Sequence, residues 1–385
     1  MLMKFLTFPR AMAVHYAALF AAFGVQMPFL PVWLEARGLS RAQMGLCMAL
    51  PMLARLLNPV TGFLADRIAN PRLTLTGLLC GAVLAGLALM MAEGFAAILA
   101  LVLVFGLFWN ALSPVTEAYG LRQCLVRQVD YGRVRLWGSF AFVLANMAGG
   151  VALNVFSPAA VMPIILACLT LAIATTWMLP AEAGQSAGRP PRLREAAAVF
   201  ANPGIGLFLA GTALVQASHG LLYAFSSVQW QAQGYSQGLI GLLWATGVIA
   251  ETLMFAFSRP LMRKWPPLAF AAAGAGAAVL RWGVMMFLPP ASLLFAVQGL
   301  HAGSFALTHL GTMKFISRHV PPEISVTAQG LYSALSAGLF MGLVMFVSGP
   351  LSGALGAFAY GMMGLVAAAG LGLMLSPRVR ALAAA

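Results

Sequence analysis

Apolar runs of about twenty residues, the length of a helix that crosses a bilayer, alternate with short polar breaks along almost the whole chain. They lie near 11–34, 43–65, 73–92, 95–119, 134–156 and 160–180, and resume near 204–229, 238–258, 267–288, 291–313, 325–347 and 351–375. Twelve such runs predict an all-α membrane protein of twelve transmembrane helices. Residues 181–203 (AEAGQSAGRPPRLREAAAVFANP) form the one long polar break. They divide the chain into an N-terminal six-helix bundle (1–180), a cytoplasmic linker and a C-terminal six-helix bundle (204–385). Arg67 and Arg72, after the second run, recur at the same spacing as Arg259 and Lys264 after the eighth. Two related bundles are what a transporter built from repeats shows.

Composition removes the soluble alternative. The 385 residues are 61% apolar and 8% charged, with mean hydropathy +0.90, whereas soluble domains are about 45–50% apolar and about 25% charged. The net charge of +13 would suggest nucleic acid in a soluble chain, but its placement says otherwise. Of the 22 Lys and Arg, only Arg37 and Arg41 fall in one set of alternate loops and only Arg55 and Arg281 well inside spans; the rest occupy the termini and the other loops, with Arg135 at the mouth of span 5. The positive-inside rule then places both termini in the cytoplasm of a bacterial-type inner membrane. Lys4 and Arg10 precede the first run and no small-residue cleavage site follows it, so the run reads as a span and not a signal peptide. The cysteines (Cys47, Cys80, Cys124, Cys168) lack CxxC spacing and read as helix-buried thiols, with neither disulfide nor metal site expected.

Four ionisable residues fall inside spans: Arg55, Glu117, Glu251 and Arg281. Each costs about 2.5–3.5 kcal/mol at mid-membrane on insertion scales, and two acids with two bases balance if they pair or line a wet cavity. Polar residues also repeat at helical spacing. Gln216, His219, Tyr223, Ser227 and Trp230 share one face of span 7, Asn110, Ser113 and Glu117 one face of span 4, and His301 and Thr308 one face of span 10, with His309 one position off. Such stripes face a cavity or a neighbouring helix, because lipid cannot satisfy them. Trp230, at a span end, fits either a cavity wall or an interfacial belt. A carboxylate in a low-dielectric cavity is disfavoured as the anion, so it can carry a proton across; Glu251, with no charged neighbour in sequence before Arg259, is the first candidate. His301 is the second, since imidazole ordinarily titrates near neutrality.

GFLADRIANPR (Gly62–Arg72) resembles the cytoplasmic signature loop of the major facilitator superfamily, and the resemblance implies the major facilitator fold with Asp66 and Arg67 as gating residues. FWNALSPVTEAYG (Phe108–Gly120) and DYGRVRLWGS (Asp130–Ser139) resemble the span 4–span 5 segment of the proton-symporter branch that contains lactose permease and the nucleoside–proton symporters. That implies substrate binding by Glu117 and Arg135, and proton coupling by Glu251, Arg281 and His301. Gln216–Glu251, Gln298–Leu310 and AQGLYSAL (Ala328–Leu335) are most similar to the 3-phenylpropionate-permease subfamily. Two departures stand out: Phe142 occupies the place of the sugar-stacking Trp, and Ser304 that of a proton-carrying Glu. Both argue against a galactoside and move proton binding to Glu251 with His301. Arg133 and Arg135, two residues apart, point to different sides of a helix, so one of them lines the pathway.

The expected function is a proton-coupled importer of a small organic solute, working by rocking of two bundles around a central site, with no cofactor beyond the proton gradient. For an aromatic carboxylate, Arg135 or Arg281 would pair with the carboxylate, while Trp109, Phe142, Tyr223 and Trp230 would pack on the ring and His219 and Asn110 would complete the site. A nucleoside or sugar would use Glu117 and Arg135 as hydrogen-bond partners. An exporter is disfavoured because span 5 has glycines but not the Gly-Pro motif of superfamily exporters. An enzyme is disfavoured because HExxH, GxSxG and Gly-rich phosphate loops are missing. The expected partners are the solute, protons and the bilayer, with no nucleic acid, and the chain is expected to act as a monomer.

Overall fold

A computed structural model describes residues 7–57, 70–180 and 193–384, and every regular element among them is helical. The first half contains α1 (Phe8–Ala36), α2 (Arg41–Ala54), α3 (Pro71–Met91), α4 (Phe95–Val126), α5 (Tyr131–Val155) and α6 (Val161–Thr176). A short helix, α7 (Leu193–Phe200), lies within the stretch read as the linker. It is followed by α8 (Pro203–Ala217), α9 (Gly220–Ala232), α10 (Gln237–Phe257), α11 (Arg259–Lys264) and α12 (Pro267–Met285). Next come α13 (Ala291–Gly299) and α14 (Thr308–His319), joined through a π-helical turn at Ala302–Leu307. A second π turn, Ala334–Phe340, joins α15 (Pro322–Ser333) to α16 (Met341–Leu355), and α17 (Ala359–Met374) and α18 (Pro377–Ala384) end the fold.

Ten helical stretches among the described residues are long and apolar enough to cross a membrane. One of them, Pro322–Met374, spans 53 residues and covers the last two expected spans, and the second expected span is described only as far as residue 57. The result is consistent with twelve crossings in a multi-pass membrane protein. Asp66 and Arg67 lie outside the described residues.

Two boundaries differ from expectation. Span 11 does not stop near residue 347: α16 continues through Pro350 to Leu355, and the chain turns at Gly356 with φ +55°. Proline removes one N–H and holds a helix-compatible φ, while a left-handed φ suits glycine. Span 4 extends past residue 119 to Val126, because hydropathy falls at Arg122 and Gln123 before the helix ends. The cysteines are all free thiols, but only Cys47 and Cys124 are buried; Cys80 and Cys168 are half-exposed, short of the uniform burial expected.

By contacts the chain forms two units, one of residues 1–189 with 230–245, the other of 190–229 with 246–385. In the first, α1 packs against α5 and α6, and α3 against α4 and α6. The start of α10 belongs to this unit because it lies close on α5: Gln237 N donates to Asn154 Oδ1 at 3.0 Å, and Gly150 faces the Gln237 backbone. Trp230 is 1% exposed, so it is a buried packing residue and not part of an interfacial belt. In the second unit α17 packs against α8 and α12, and Gly211 and Gly370 face each other's carbonyls where α8 crosses α17. Small residues of this kind let membrane helices approach closely.

Candidate functional site

The first unit holds a carboxylate–guanidinium centre. Asp130 caps α5, accepting from Arg133 N at 3.2 Å, and so starts a helix on which Tyr131 and Arg135, four apart, share a face. Both reach Glu117 on α4. Arg135 Nε donates to Glu117 Oε1 at 2.5 Å, and Oε2 accepts from Tyr131 Oη and from Tyr16 Oη, the latter at 3.2 Å. The Arg135 and Glu117 side chains are 28% and 27% exposed, half-buried and open to a ligand. Arg133, two positions away, points outward and pairs with Asp130 at 3.6 Å.

Two glycines clear this space. A Cβ on Gly138 would stand 3.1 Å from Arg135 Nη1 and 3.2 Å from the Phe20 ring, and one on Gly120 would crowd Tyr16 Oη. The Arg135 guanidinium lies 4.0 Å from the Phe20 ring centroid. From there Phe20, Phe23 and Trp109 continue as an edge-to-face series with centroids 5.2 and 4.8 Å apart. Trp109 is thus joined to the centre through α1. Phe142, seven residues after Arg135, is half-buried. Asn110 is not brought to Glu117: its Nδ2 donates to the Pro51 carbonyl at 2.6 Å and its Oδ1 accepts from Arg55 Nε at 3.1 Å. The reason is local. α2 tightens into a 3₁₀ turn at Arg55, whose N–H turns to Leu53 and Met52, leaving the Pro51 carbonyl to be satisfied from α4.

The second unit holds a network around Arg281, which is 0% exposed. Nη1 lies 2.8 Å from His301 Nδ1 and 3.3 Å from Ser304 Oγ, and Nη2 donates to Gln298 Oε1 at 2.6 Å. A guanidinium only donates, so His301 Nδ1 accepts and its ring proton sits on Nε2, which faces Glu251 Oε2 at 3.2 Å. His219 is assigned by the same logic. Its Nδ1 meets the carbonyls of Val215 and Gln216 at 3.2 and 3.1 Å and therefore carries the proton, and its Nε2 accepts from Ser304 Oγ at 2.9 Å. His219 occupies the junction of α8 and α9, a turn within the single crossing-length stretch Pro203–Ala232. Tyr223 sits one turn on, its ring 5.9 Å from that of His219.

Span 10 corrects the expected face. The π turn inserts extra winding after His301, so the rings of His301, Phe305 and His309 stack in series with centroids 5.1 and 6.4 Å apart. It is His309, not Thr308, that follows His301; Thr308 is buried against Gly274. Tyr16, Tyr131 and Gln298 are neighbours of these centres that charge reasoning overlooked, and Ser304, noted only as a departure from the family pattern, joins them. Helical spacing could have found three of them: Tyr131 from Arg135, and Gln298 and Ser304 from His301. Among the described residues no three His, Cys, Asp or Glu gather as a metal set.

The described "MFS_1 like family" matches residues 10–361. A probable 3-phenylpropionic acid transporter of Escherichia coli (strain K12) is 34% identical over 369 residues, 93% of this chain and 95% of that protein. A maltose permease of Geobacillus stearothermophilus is 25% identical over 85% of this chain and 83% of its own. Among solved structures, the crystal structure of the nucleoside transporter NupG superposes with TM-score 0.84 at 15% identity, covering 96% of this chain and 100% of that one. That last likeness speaks to the fold.

Proposed function

The chain belongs to the MFS_1-like family of major facilitator transporters, is no enzyme, and handles a small molecule within the membrane; from that premise we propose that it is a proton symporter importing a small aromatic carboxylate of the 3-phenylpropionate kind. The observation that carries the coupling half is the chain Arg281–His301–Glu251, which holds a carboxylate against a proton-bearing imidazole in an apolar bundle. Glu251 takes the proton, and His301 with Arg281 senses its charge. Glu117, Arg135, Tyr16 and Tyr131 form the solute-binding centre, with Phe20 and Trp109 as the aromatic wall beside it. Cycling by alternating access then needs only the proton gradient as energy source. The identity of the solute follows the 34% relative. The chain acts as a monomer in a bacterial-type inner membrane with both termini in the cytoplasm, as its loop charges favour.

A second reading, a neutral sugar or nucleoside, has one observation in its favour. Arg135 is already neutralised by Glu117 at 2.5 Å, so an anion has no spare positive charge unless a proton arrives with it. For a carboxylate this is also the attraction of symport, because one proton on an acid of the site frees one cation for the solute. Thermal shift of the purified protein at two pH values, with phenylpropionate-like acids, nucleosides and sugars, separates the readings. A ligand at 100 times its Kd stabilises by about 2.7 kcal/mol. Stabilisation by aromatic acids that disappears in Arg135→Ala supports the carboxylate; stabilisation only by sugars or nucleosides transfers the site to them.

A further inference from the structure

The π turn at Ala302–Leu307 creates a column of which the coupling chemistry above uses only His301. Its members are His301, Phe305 and His309, with rings 19° and then 4° from parallel. A second column on α10 runs beside it: Glu251 meets His301 at 3.2 Å, and Phe255, one turn later, sits edge-on to His309 with centroids 5.9 Å apart. Phe305 and His309 are half-exposed, whereas Ser304 and His219 behind them are fully buried. The less buried side of the stack therefore runs from the Glu251–His301 pair along α14 toward Lys314, Arg318 and His319. That is the basic end of the helix, which the positive-inside rule assigns to the cytoplasm. π turns are frequent at functional sites, and this one selects a titratable ring over Thr308 for the next position along the path.

Around the column, Tyr223 on α9 lies by His219 and Tyr360 on α17 is buried against Trp282. Arg281 on α12 bonds His301, Ser304 and Gln298. Tyr332 on α15 is buried, Glu323 is exposed, and α8 carries no ionisable side chain. Lys314 is taken by the carbonyls of Met262 and Trp265. Glu251 lies one turn of α10 before Phe255, the ring that meets His309.

We propose that His309 is the proton-exchange residue between the Glu251–His301 pair and the cytoplasmic solvent, a role that rests on the proton-coupled reading. Glu251 gives up its proton and becomes the carboxylate; the His309 imidazole, reached through water in the half-open column, becomes the imidazolium and passes the proton to cytoplasmic water. Phe305 and Phe255 keep the ring in register and exclude wider flooding.

The test needs no substrate. Histidine C2-hydrogen exchange, read by mass spectrometry across a pH series on the purified full-length protein, gives a titration curve for each histidine. His309 is expected to exchange and titrate while His219 stays protected. Replacing Glu251 by Gln is expected to move the His309 curve by about half a pH unit or more, the scale of one charge acting across a partly solvated site. Glu251→Asp, which keeps the charge, is expected to give the wild-type curve. Protection of His309 as complete as that of His219 overturns the proposal on the wild-type protein alone, and so does a curve that superimposes in Glu251→Gln. Solute uptake without proton movement would sink the proton-coupled reading and leave the titration standing; protection of His309 in a protein that moves protons sinks only this proposal.

Discussion

Arg281 Nη1 stands 2.8 Å from Nδ1 of His301, and this contact decides which way the imidazole presents its proton. With Nδ1 occupied by a donor, the ring proton is directed from Nε2 to Glu251, and the two residues that flank His301 feel each other through it. Protonation of Glu251 would replace a carboxylate by a neutral carboxyl beside His301 and leave Arg281 as an uncompensated buried charge. Such a charge is costly in an apolar interior, which is what makes the proton state of Glu251 matter to the whole cluster.

Glu251→Gln keeps a carbonyl oxygen for His301 but cannot exchange a proton. Uptake driven by a pH gradient in proteoliposomes is expected to fall at least ~10-fold, the change produced by about 1.4 kcal/mol in a barrier, while solute counterflow persists. Wild-type driven uptake in the variant removes Glu251 from coupling.

Arg135 and Arg133 offer an internal contrast. Arg135→Ala removes a charge-assisted bond worth about 1.5–3 kcal/mol, so solute affinity is expected to drop roughly 10- to 100-fold by that free energy. Arg133→Ala removes only an exposed pair with Asp130, worth about 0–1 kcal/mol, and affinity is expected to hold. Equal effects in binding titrations would contradict the placement of the site on one face of α5.

Gly138→Ala places a methyl group 3.1 Å from Arg135 Nη1 and 3.2 Å from Phe20. The guanidinium is expected to shift off Glu117, weakening solute binding while expression and monodispersity are preserved. An affinity equal to wild type would show that the guanidinium tolerates the crowding.

Ser304→Ala deprives Arg281 of an acceptor and His219 Nε2 of its donor inside a dry cluster. Leaving such a buried group unsatisfied costs about 1–3 kcal/mol, and the melting temperature in detergent is expected to fall. Thr170→Ala is the matched control, because Thr170 bonds only a carbonyl of its own helix at 2.8 Å. A Ser304→Ala protein as stable as this control would show that the cluster does not depend on the hydroxyl.

Hydropathy was enough to locate most of the apolar helices found among the described residues, because bilayer thickness sets a minimum length for every crossing. Intramembrane charge likewise singled out Arg55, Glu117, Glu251 and Arg281 through its cost, and the family resemblance added Arg135 and His301. The structure groups Glu117 with Arg135 and Glu251 with His301 and Arg281, while Arg55 bonds Asn110. What failed was register and detail. The π turn cannot be read from a 3.6-residue period, so Thr308 stood in for His309. Asn110 shares a helix with Glu117, yet its partners are dictated by the frayed end of α2 at Arg55, a contact no periodicity encodes. Tyr16 is apolar by most scales and reaches Glu117 only because Gly120 leaves room for its hydroxyl. The expected end of span 11 near residue 347 fell short because hydropathy does not register that Pro350 permits a helical φ.

The central claim is that solute and proton move together. Its most direct measurement is internal pH, followed with a trapped indicator in proteoliposomes clamped at zero membrane potential, as 3-phenylpropionate and then a panel of aromatic acids, nucleosides and sugars are added outside. The account predicts that the transported solute acidifies the lumen in the wild-type protein and that Glu251→Gln shows no such acidification. Solute accumulation with no proton movement, unaffected by collapsing the pH gradient, would contradict it.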